Sequence, residues 1–153
     1  MIAQSTNISD APLAPLEPLA LLGPRMPPGT MDDRIRRALS RGHLIDITTT
    51  GRKTGRPRRI EVVFHAIDGR IYISGLPGFP RSWLANMRSE PRITFHLKGA
   101  VRADLPAVAR PIVDDAERRR IFTEIAKAWR GQSVETMVGH SPLVEISFPD
   151  LAA

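Results

Sequence analysis

A glycine-framed run of cations between two strand-like segments constrains this chain more than any other feature. The run is Gly51-Arg52-Lys53-Thr54-Gly55-Arg56-Pro57-Arg58-Arg59, with five cations and no acid among its nine residues. It follows Leu44–Thr50 and precedes Ile60–Ile67, and both segments are rich in β-branched residues, as strands are. The pattern therefore predicts a strand, a tight cationic turn and a second strand. Such a turn directs N–H groups and cations at one point, which suits a phosphate or carboxylate ligand.

Composition and charge narrow the classes of protein. The chain has 153 residues, which favours one domain, and a net charge of +6, which favours anionic partners such as nucleic acid, a phosphorylated cofactor or a membrane surface. Cysteine is absent, so thiolate catalysis and disulfides are excluded. The N-terminus lacks a basic region and no apolar run is long enough to span a bilayer. We expect a cytoplasmic protein, with peripheral membrane contact left open.

The first thirty residues differ in composition from the rest. Residues 1–30 are rich in Pro, Ala and Leu, with prolines at positions 12, 15, 18, 24, 27 and 28, a spacing that prevents a long helix. Two interpretations stay open: a disordered or draped arm, and a segment whose leucines pack on a partner or pocket. Residues 31–153 form the predicted domain. It opens with a helix over Met31–Ser40, capped by Thr30.

The remaining periodicity predicts a mainly β, α+β domain. Six strands are expected near 43–50, 59–67, 70–75, 92–97, 101–112 and 143–148, and Asp68-Gly69 joins the second and third as a hairpin. Pro106 and Pro111 predict that the fifth strand lies at an edge or carries a bulge. Short helices are expected over 81–88 and 115–129, the latter capped by Asp114. Two or three short helices among about six hairpin-joined strands favour a mostly antiparallel barrel.

Several motifs in this order match a known family. They are Thr48-Thr49-Thr50-Gly51-Arg52-Lys53-Thr54-Gly55-Arg56-Pro57-Arg58, then Asp68-Gly69-Arg70 with Tyr72 and Ser74, then Trp83-Leu84-Ala85-Asn86-Met87 and Glu90-Pro91-Arg92-Ile93. Over roughly residues 31–148 the chain resembles the deazaflavin-dependent nitroreductases. These are split β-barrel oxidoreductases related to the flavin-binding pyridoxamine-phosphate-oxidase-like fold. The resemblance implies hydride transfer from reduced coenzyme F-420 to a small hydrophobic, electron-poor acceptor such as a quinone, nitro compound or enone.

The resemblance also implies which residues hold the coenzyme. Arg52, Lys53, Thr54, Gly55 and Arg58 would bind its phosphate and acidic tail, and arginine and lysine suit such anions. Ser74 would lie near the deazaflavin ring, and Trp83 would form a wall of the pocket. No catalytic residue is assigned, because the hydride chemistry belongs to the cofactor. Glu61 follows the turn closely and would repel an anion if it faced the site.

Alternatives to this interpretation remain at this stage. Related split barrels hold FMN or haem, and a carrier could bind cofactor or an apolar ligand without turnover. Gly55-Arg56-Pro57 is similar to a minor-groove hook, but it is bounded by strands, so no nucleic-acid partner is expected. His65 and His96 could approach each other across the sheet, yet no third ligand lies near them, so no metal is expected. His140 falls in a predicted loop. Both a monomer and a homodimer are compatible with the fold.

Overall fold

The computed structural model describes residues 28–78 and 80–151, and side chains from residue 32 onward. The predicted N-terminal arm therefore lies outside the described residues, apart from the start of the first helix. The helices are α1 Pro28–Leu39, α2 Ser82–Ser89, α3 Asp115–Ala128 and α4 Val134–His140. The strands are β1 Leu44–Thr50, β2 Pro57–Ile67, β3 Arg70–Ser74, β4 Arg92–Lys98, β5 Arg102–Pro111 and β6 Leu143–Ser147. A turn of 3-10 helix follows at Pro149–Leu151.

The six strands form a closed antiparallel barrel in the order β1-β2-β3-β6-β5-β4. Alternate residues of each strand face the interior, so Ile45, Ile47, Phe64 and Phe95 are fully buried there. The predicted mainly β barrel is thus confirmed. Among the described helices none is both long and apolar enough to cross a lipid bilayer.

The hairpin between β2 and β3 follows directly from its sequence. Asp68 and Gly69 both adopt a positive φ, 52° and 76°, which is the backbone of a tight hairpin turn. Only small or polar residues accept this conformation readily. The dipeptide therefore fixes the register in which His65 faces Tyr72.

A second, smaller core lies outside the barrel, between β3 and the helices α3 and α4. The predicted apolar stripe of α3, Ile121, Phe122 and Ile125, is buried there with Tyr72 and Met137. Burying a side chain of this size contributes about 1.5–3 kcal/mol. Asp114 caps α3 as predicted, because its carboxylate accepts the backbone N–H of Glu117 at 2.9 Å.

Three sequence predictions were wrong. Thr30 does not cap α1, because the helix begins two residues earlier, at Pro28. β5 is not an edge strand, because the barrel closes. Its two halves have different neighbours: residues 102–107 pair only with β4, and residues 109–111 pair only with β6. Pro106 therefore lies where β5 has a single neighbour, which is where a missing N–H is tolerated. The predicted loop around His140 is the helix α4, begun by Ser133, whose hydroxyl accepts the N–H of Thr136 at 3.3 Å.

An ion-pair network on the outer face joins β1, β2 and β4. The carboxylate of Asp46 accepts from Lys98 at 2.7 Å and from Arg59 at 3.0 Å, and Lys98 also binds Glu61. The hydrogen bond from Lys98, followed by that from Arg59, lowers the pKa of Asp46 below its usual 3.8. Glu61 is thus held by a cation on the sheet face and does not line the cleft at the cationic turn.

We expect Asp46→Asn to lower stability at neutral pH and to lose this effect in acid. The folded carboxylate has a depressed pKa, so its contribution is present above 3.8 and is lost as the pH falls through the folded pKa. Urea unfolding at several pH values measures the difference. Asp68→Asn, exposed in the hairpin, is the matched control. A difference between wild type and Asp46→Asn that persists at pH values well below the folded pKa would contradict the assignment.

Candidate functional site

The cationic turn lies at one rim of the barrel, between the end of β1 and the start of β2. Two backbone hydrogen bonds close it: Gly51 N–H donates to the carbonyl of Arg56 and Gly55 N–H to that of Gly51, both at 2.8 Å. The Thr54 hydroxyl accepts the N–H of Arg56 at 3.1 Å, which leaves its own hydrogen free to donate to a ligand. The turn is therefore held in a defined conformation by its own hydrogen bonds.

The two glycines that frame the turn are required by its geometry. A Cβ on Gly51 would stand 2.9 Å from the Thr54 hydroxyl and 3.1 Å from the Arg56 carbonyl, closer than packing allows. Gly55 has a φ of +71°, in the left-handed region that side chains disfavour. Both glycines thus serve the shape of the turn, as the sequence pattern indicated.

Four cations of the turn have no acidic partner. Arg52, Lys53, Arg56 and Arg58 are all exposed, and no carboxylate of residues 32–78 or 80–151 lies within ion-pair distance of them. Arg59 differs, because it is bound to Asp46. The positive charge of the turn is therefore not neutralised within the described chain, which favours an anionic ligand.

A cleft of about 190 Å³ opens beside these cations. Its lining consists of Gly51, Arg52, Lys53, Thr54, Arg58, Ser82 and Asn86. Sites for drug-sized ligands usually measure about 300–1,000 Å³. The cleft thus fits a phosphate or carboxylate group better than a whole fused ring system.

Asn86 fixes the turn against α2, and sequence reasoning did not single it out. Its side chain is only 4% exposed. Its amide donates to the Thr49 hydroxyl and its carbonyl accepts the backbone N–H of Arg52, both at 3.0 Å. A polar residue within the otherwise apolar run Trp83–Met87 was the signal that could have revealed it.

The remaining predicted site residues lie apart from this cleft. Gly55 borders a neighbouring cleft of about 270 Å³ with Thr48, Thr50 and Thr94 on the outer face. Ser74 is buried at the end of β3, where its hydroxyl donates to the carbonyl of Pro142 at 2.8 Å. Trp83 is half-buried and packs against the barrel core. The structure thus brings together Arg52, Lys53, Thr54 and Arg58, and it places Ser74 and Trp83 elsewhere.

The histidines do not form a shared site. His65 packs edge-on against Trp129, with ring centres 5.0 Å apart. His96 instead joins Thr48 and Asp104 in a chain of two hydrogen bonds, each 2.7 Å, across β1, β4 and β5. Within the described residues no group of three or more His, Asp or Glu could hold a metal ion. His65 and His96 thus lie against different partners.

Solved structures identify the class of fold. A protein of the pyridoxinephosphate oxidase family from Clostridium acetobutylicum matches with a TM-score of 0.60 at 10% identity, covering 78% of this chain and 84% of its own. A conserved hypothetical protein from Mycobacterium tuberculosis matches with a TM-score of 0.57 at 18% identity, covering 82% of each chain. These likenesses show the split-barrel fold alone. No curated protein matches the chain significantly.

The chain belongs to the F420H(2)-dependent quinone reductase family, whose model matches residues 30–144. Its cofactor is therefore coenzyme F-420, and the protein is an F-420-dependent oxidoreductase, as the resemblance implied. The residues at the cationic turn fit this cofactor, because unpaired cations around a small cleft suit its phosphate and acid groups. FMN and haem are weaker alternatives as cofactors, because the matching family depends on F-420.

We expect Asn86→Ala to lower the free energy of unfolding by about 1–3 kcal/mol, since it leaves the Thr49 hydroxyl and the Arg52 N–H unpaired. Chemical denaturation measures the change. Ser82→Ala alters the same cleft at an exposed position of α2 and is the control. Equal stability of the two variants would contradict the role given to Asn86.

His65 should make the fold sensitive to mild acid. Burial lowers the pKa of His65 from 6.5, and its Nε2 has no hydrogen-bond partner among the described residues. Below 6.5 the unfolded imidazole binds a proton before the folded one does, so stability falls as the pH decreases toward the folded pKa. Thermal melts from pH 8 to 5 should show a smaller loss in His65→Phe than in wild type. His140→Gln, at an exposed histidine, should keep the wild-type profile; an unchanged profile in His65→Phe would contradict this account.

Proposed function

We propose that the protein transfers hydride from reduced coenzyme F-420 to a small electron-poor acceptor, with a quinone as the first candidate and nitro compounds or enones as further ones. The observation that carries the proposal is the group of unpaired cations beside the cleft at the turn. Membership of the chain in a family of quinone reductases supports a quinone as the acceptor. Quinones, nitro compounds and enones are electron-poor, so they accept hydride readily.

In this proposal the turn binds the anionic tail of the coenzyme, and the cleft of about 190 Å³ beside it is called the tail cleft. Arg52 and Arg58 can each donate two parallel N–H bonds to a phosphate or carboxylate, and Lys53 adds a point charge. Thr54 donates the hydroxyl hydrogen that its bond to Arg56 leaves available. Gly55 keeps the turn in its shape through its positive φ. Charge-assisted bonds of this kind contribute about 1.5–3 kcal/mol each.

Ser74 and Trp83 act on the ring end of the coenzyme in the same proposal. The Ser74 hydroxyl is already committed to the carbonyl of Pro142, so its role is to hold the end of β3 and the segment before β6 together. Trp83 follows Ser82 on α2, and Ser82 lines the tail cleft. Trp83 can therefore border the part of the pocket between the tail and the ring of the coenzyme. We assign both residues to shaping the pocket rather than to proton transfer.

The reduced deazaflavin supplies the hydride, and the protein supplies position and shielding. A tail fixed by several charge-assisted bonds orients the whole coenzyme, because its remaining motions are limited to rotations about that anchor. The described residues offer no cluster of catalytic acid, base and nucleophile in the tail cleft. No catalytic residue is therefore proposed.

A fluorescence titration with coenzyme F-420, with FMN in parallel, tests the cofactor and its site together. Wild type should bind F-420 saturably and prefer it to FMN. The double variant Arg52→Ala/Lys53→Ala should bind at least about tenfold more weakly, the equivalent of roughly one lost charged contact.

The control for that titration is Arg102→Ala/Arg130→Ala, which removes two other exposed cations and changes the net charge equally. An equal loss in both double variants would mean that only the overall charge matters. Unchanged affinity in Arg52→Ala/Lys53→Ala would overturn the tail assignment. Reduction of menadione by the F-420-loaded protein, followed by absorbance, then tests turnover.

A further inference from the structure

A second cleft, of about 360 Å³, lies on the other side of α2 from the cationic turn. Ser82 and Asn86 of α2 border the tail cleft, whereas Leu84 and Arg88 border this one. At about 100° per residue these pairs point to different sides of the helix. The end of α4 and the segment after β5 complete the second cleft.

Arg118 places a fixed positive charge in this cleft. Its guanidinium donates to the backbone carbonyls of Ile112, Met137, Val138 and Ser141, at 2.9, 3.3, 2.9 and 2.6 Å. No carboxylate of the described chain lies within ion-pair distance of it. Carbonyl dipoles orient a guanidinium but do not cancel its charge. Arg118 is thus held in place by backbone carbonyls and by the ring of Phe122, 5.2 Å away, without an ion-pair partner among the described residues.

A second cation, Arg88, lies close enough to Arg118 to affect its pKa. Burial lowers the pKa of Arg118, the carboxylate of Asp115 opposes this shift, and the charge of Arg88 adds to it. Arg88 is exposed on α2, lines the same cleft and has no ion-pair partner among residues 32–78 and 80–151. Two cations that repel each other at one cleft favour an anion between them.

Ser141 adds a buried hydroxyl beside the cleft. The residue is 5% exposed and lines the cleft, and its hydroxyl is buried without a hydrogen-bond partner among the described residues. Its backbone groups are satisfied, since its N–H donates to Met137 and its carbonyl accepts from Arg118. An unpaired buried hydroxyl costs about 1–3 kcal/mol. A ligand that accepts a hydrogen bond here would remove that cost.

Apolar side chains also contribute to the cleft, beside the polar groups of Arg81 and His140. Leu84, Ile112 and Leu143 line it, and Val113 at its border is 77% exposed although it is β-branched and apolar. An exposed apolar residue beside an enclosed cation suits a ligand with a hydrophobic body and one charged end.

We infer that this cleft binds the electron acceptor and selects aromatic acceptors that carry an anionic group, which Arg88 and Arg118 attract and to which Ser141 donates a hydrogen bond. The redox part of this inference rests on the proposed function, whereas binding itself does not. The coenzyme also carries a phosphate, so the same anion site could serve either molecule. The acceptor is favoured because the unpaired cations of the turn form a separate cleft for the tail.

Equilibrium binding of two matched probes tests the inference without turnover. Naphthalenesulfonate is anionic and naphthalenesulfonamide is its neutral analogue, and calorimetry measures both. Wild type should bind the sulfonate about tenfold more tightly, and Arg88→Gln should remove most of that preference, as loss of one charge-assisted contact implies. Arg102→Gln changes the net charge equally outside the cleft and should keep the preference. Equal binding of the two probes, or equal effects of the two variants, would overturn the inference.

Ser141→Ala supplies a second readout that a purely structural serine would not give. It should leave the melting temperature unchanged or raise it, because it removes an unpaired buried hydroxyl, and weaken the sulfonate about threefold. A lower melting temperature with unchanged sulfonate affinity would mean that Ser141 is structural.

Sulfonate binding measured in the presence of saturating F-420 shows whether the cleft serves the acceptor or the phosphate of the coenzyme. Sulfonate binding that persists beside the coenzyme supports an acceptor site, and direct competition would assign the cleft to the coenzyme instead. With the loaded protein, naphthoquinone sulfonate should show a lower KM than menadione, and Arg88→Gln should abolish the difference. If F-420 does not bind while the sulfonate preference holds, the proposed function fails and the anion-selective cleft stands.

Discussion

The pairing of β1 on both of its edges is the constraint on which the rest of the structure depends. β1 pairs with β2 over its full length and with β4 through Asp46–Thr48, and this second pairing closes the barrel. A slip of one residue would exchange the two faces. Ile45 and Ile47 would then leave the core, and Thr49 would no longer meet Asn86.

The same register separates structural cations from those available to a ligand. Arg58 pairs opposite Thr49 and Arg59 opposite Thr48, so alternation places their side chains on opposite faces of the strand. Arg59 reaches Asp46 on the outer face, whereas Arg58 lines the tail cleft. The period of the strand thus divides a continuous run of charge between the two faces of the sheet.

Local signals made much of the fold predictable, and long-range contacts account for the rest. The glycine-framed turn, Asp68-Gly69 and the Asp114 cap each act within a few residues, so they can be recognised in the sequence. The bond between Thr49 and Asn86 joins residues 37 apart, and no local pattern encodes it. The helix α4 was missed because it has only seven residues and contains a glycine next to its end. Its stability comes from packing Met137 and Val138 against the second core.

The helix α2 contributes residues to both clefts. The helix has eight residues, too few to be stable alone, so its order depends on buried Met87 and on the bonds of Asn86 to Thr49 and the turn. An anion bound at the turn would therefore contact a segment that Asn86 ties to α2, the helix whose opposite side carries Arg88. Since binding free energies are reciprocal, an anion held at Arg88 should in turn favour an ordered tail cleft. A coupling of this kind needs no conformational switch, because a shared short helix that both ligands restrain is enough.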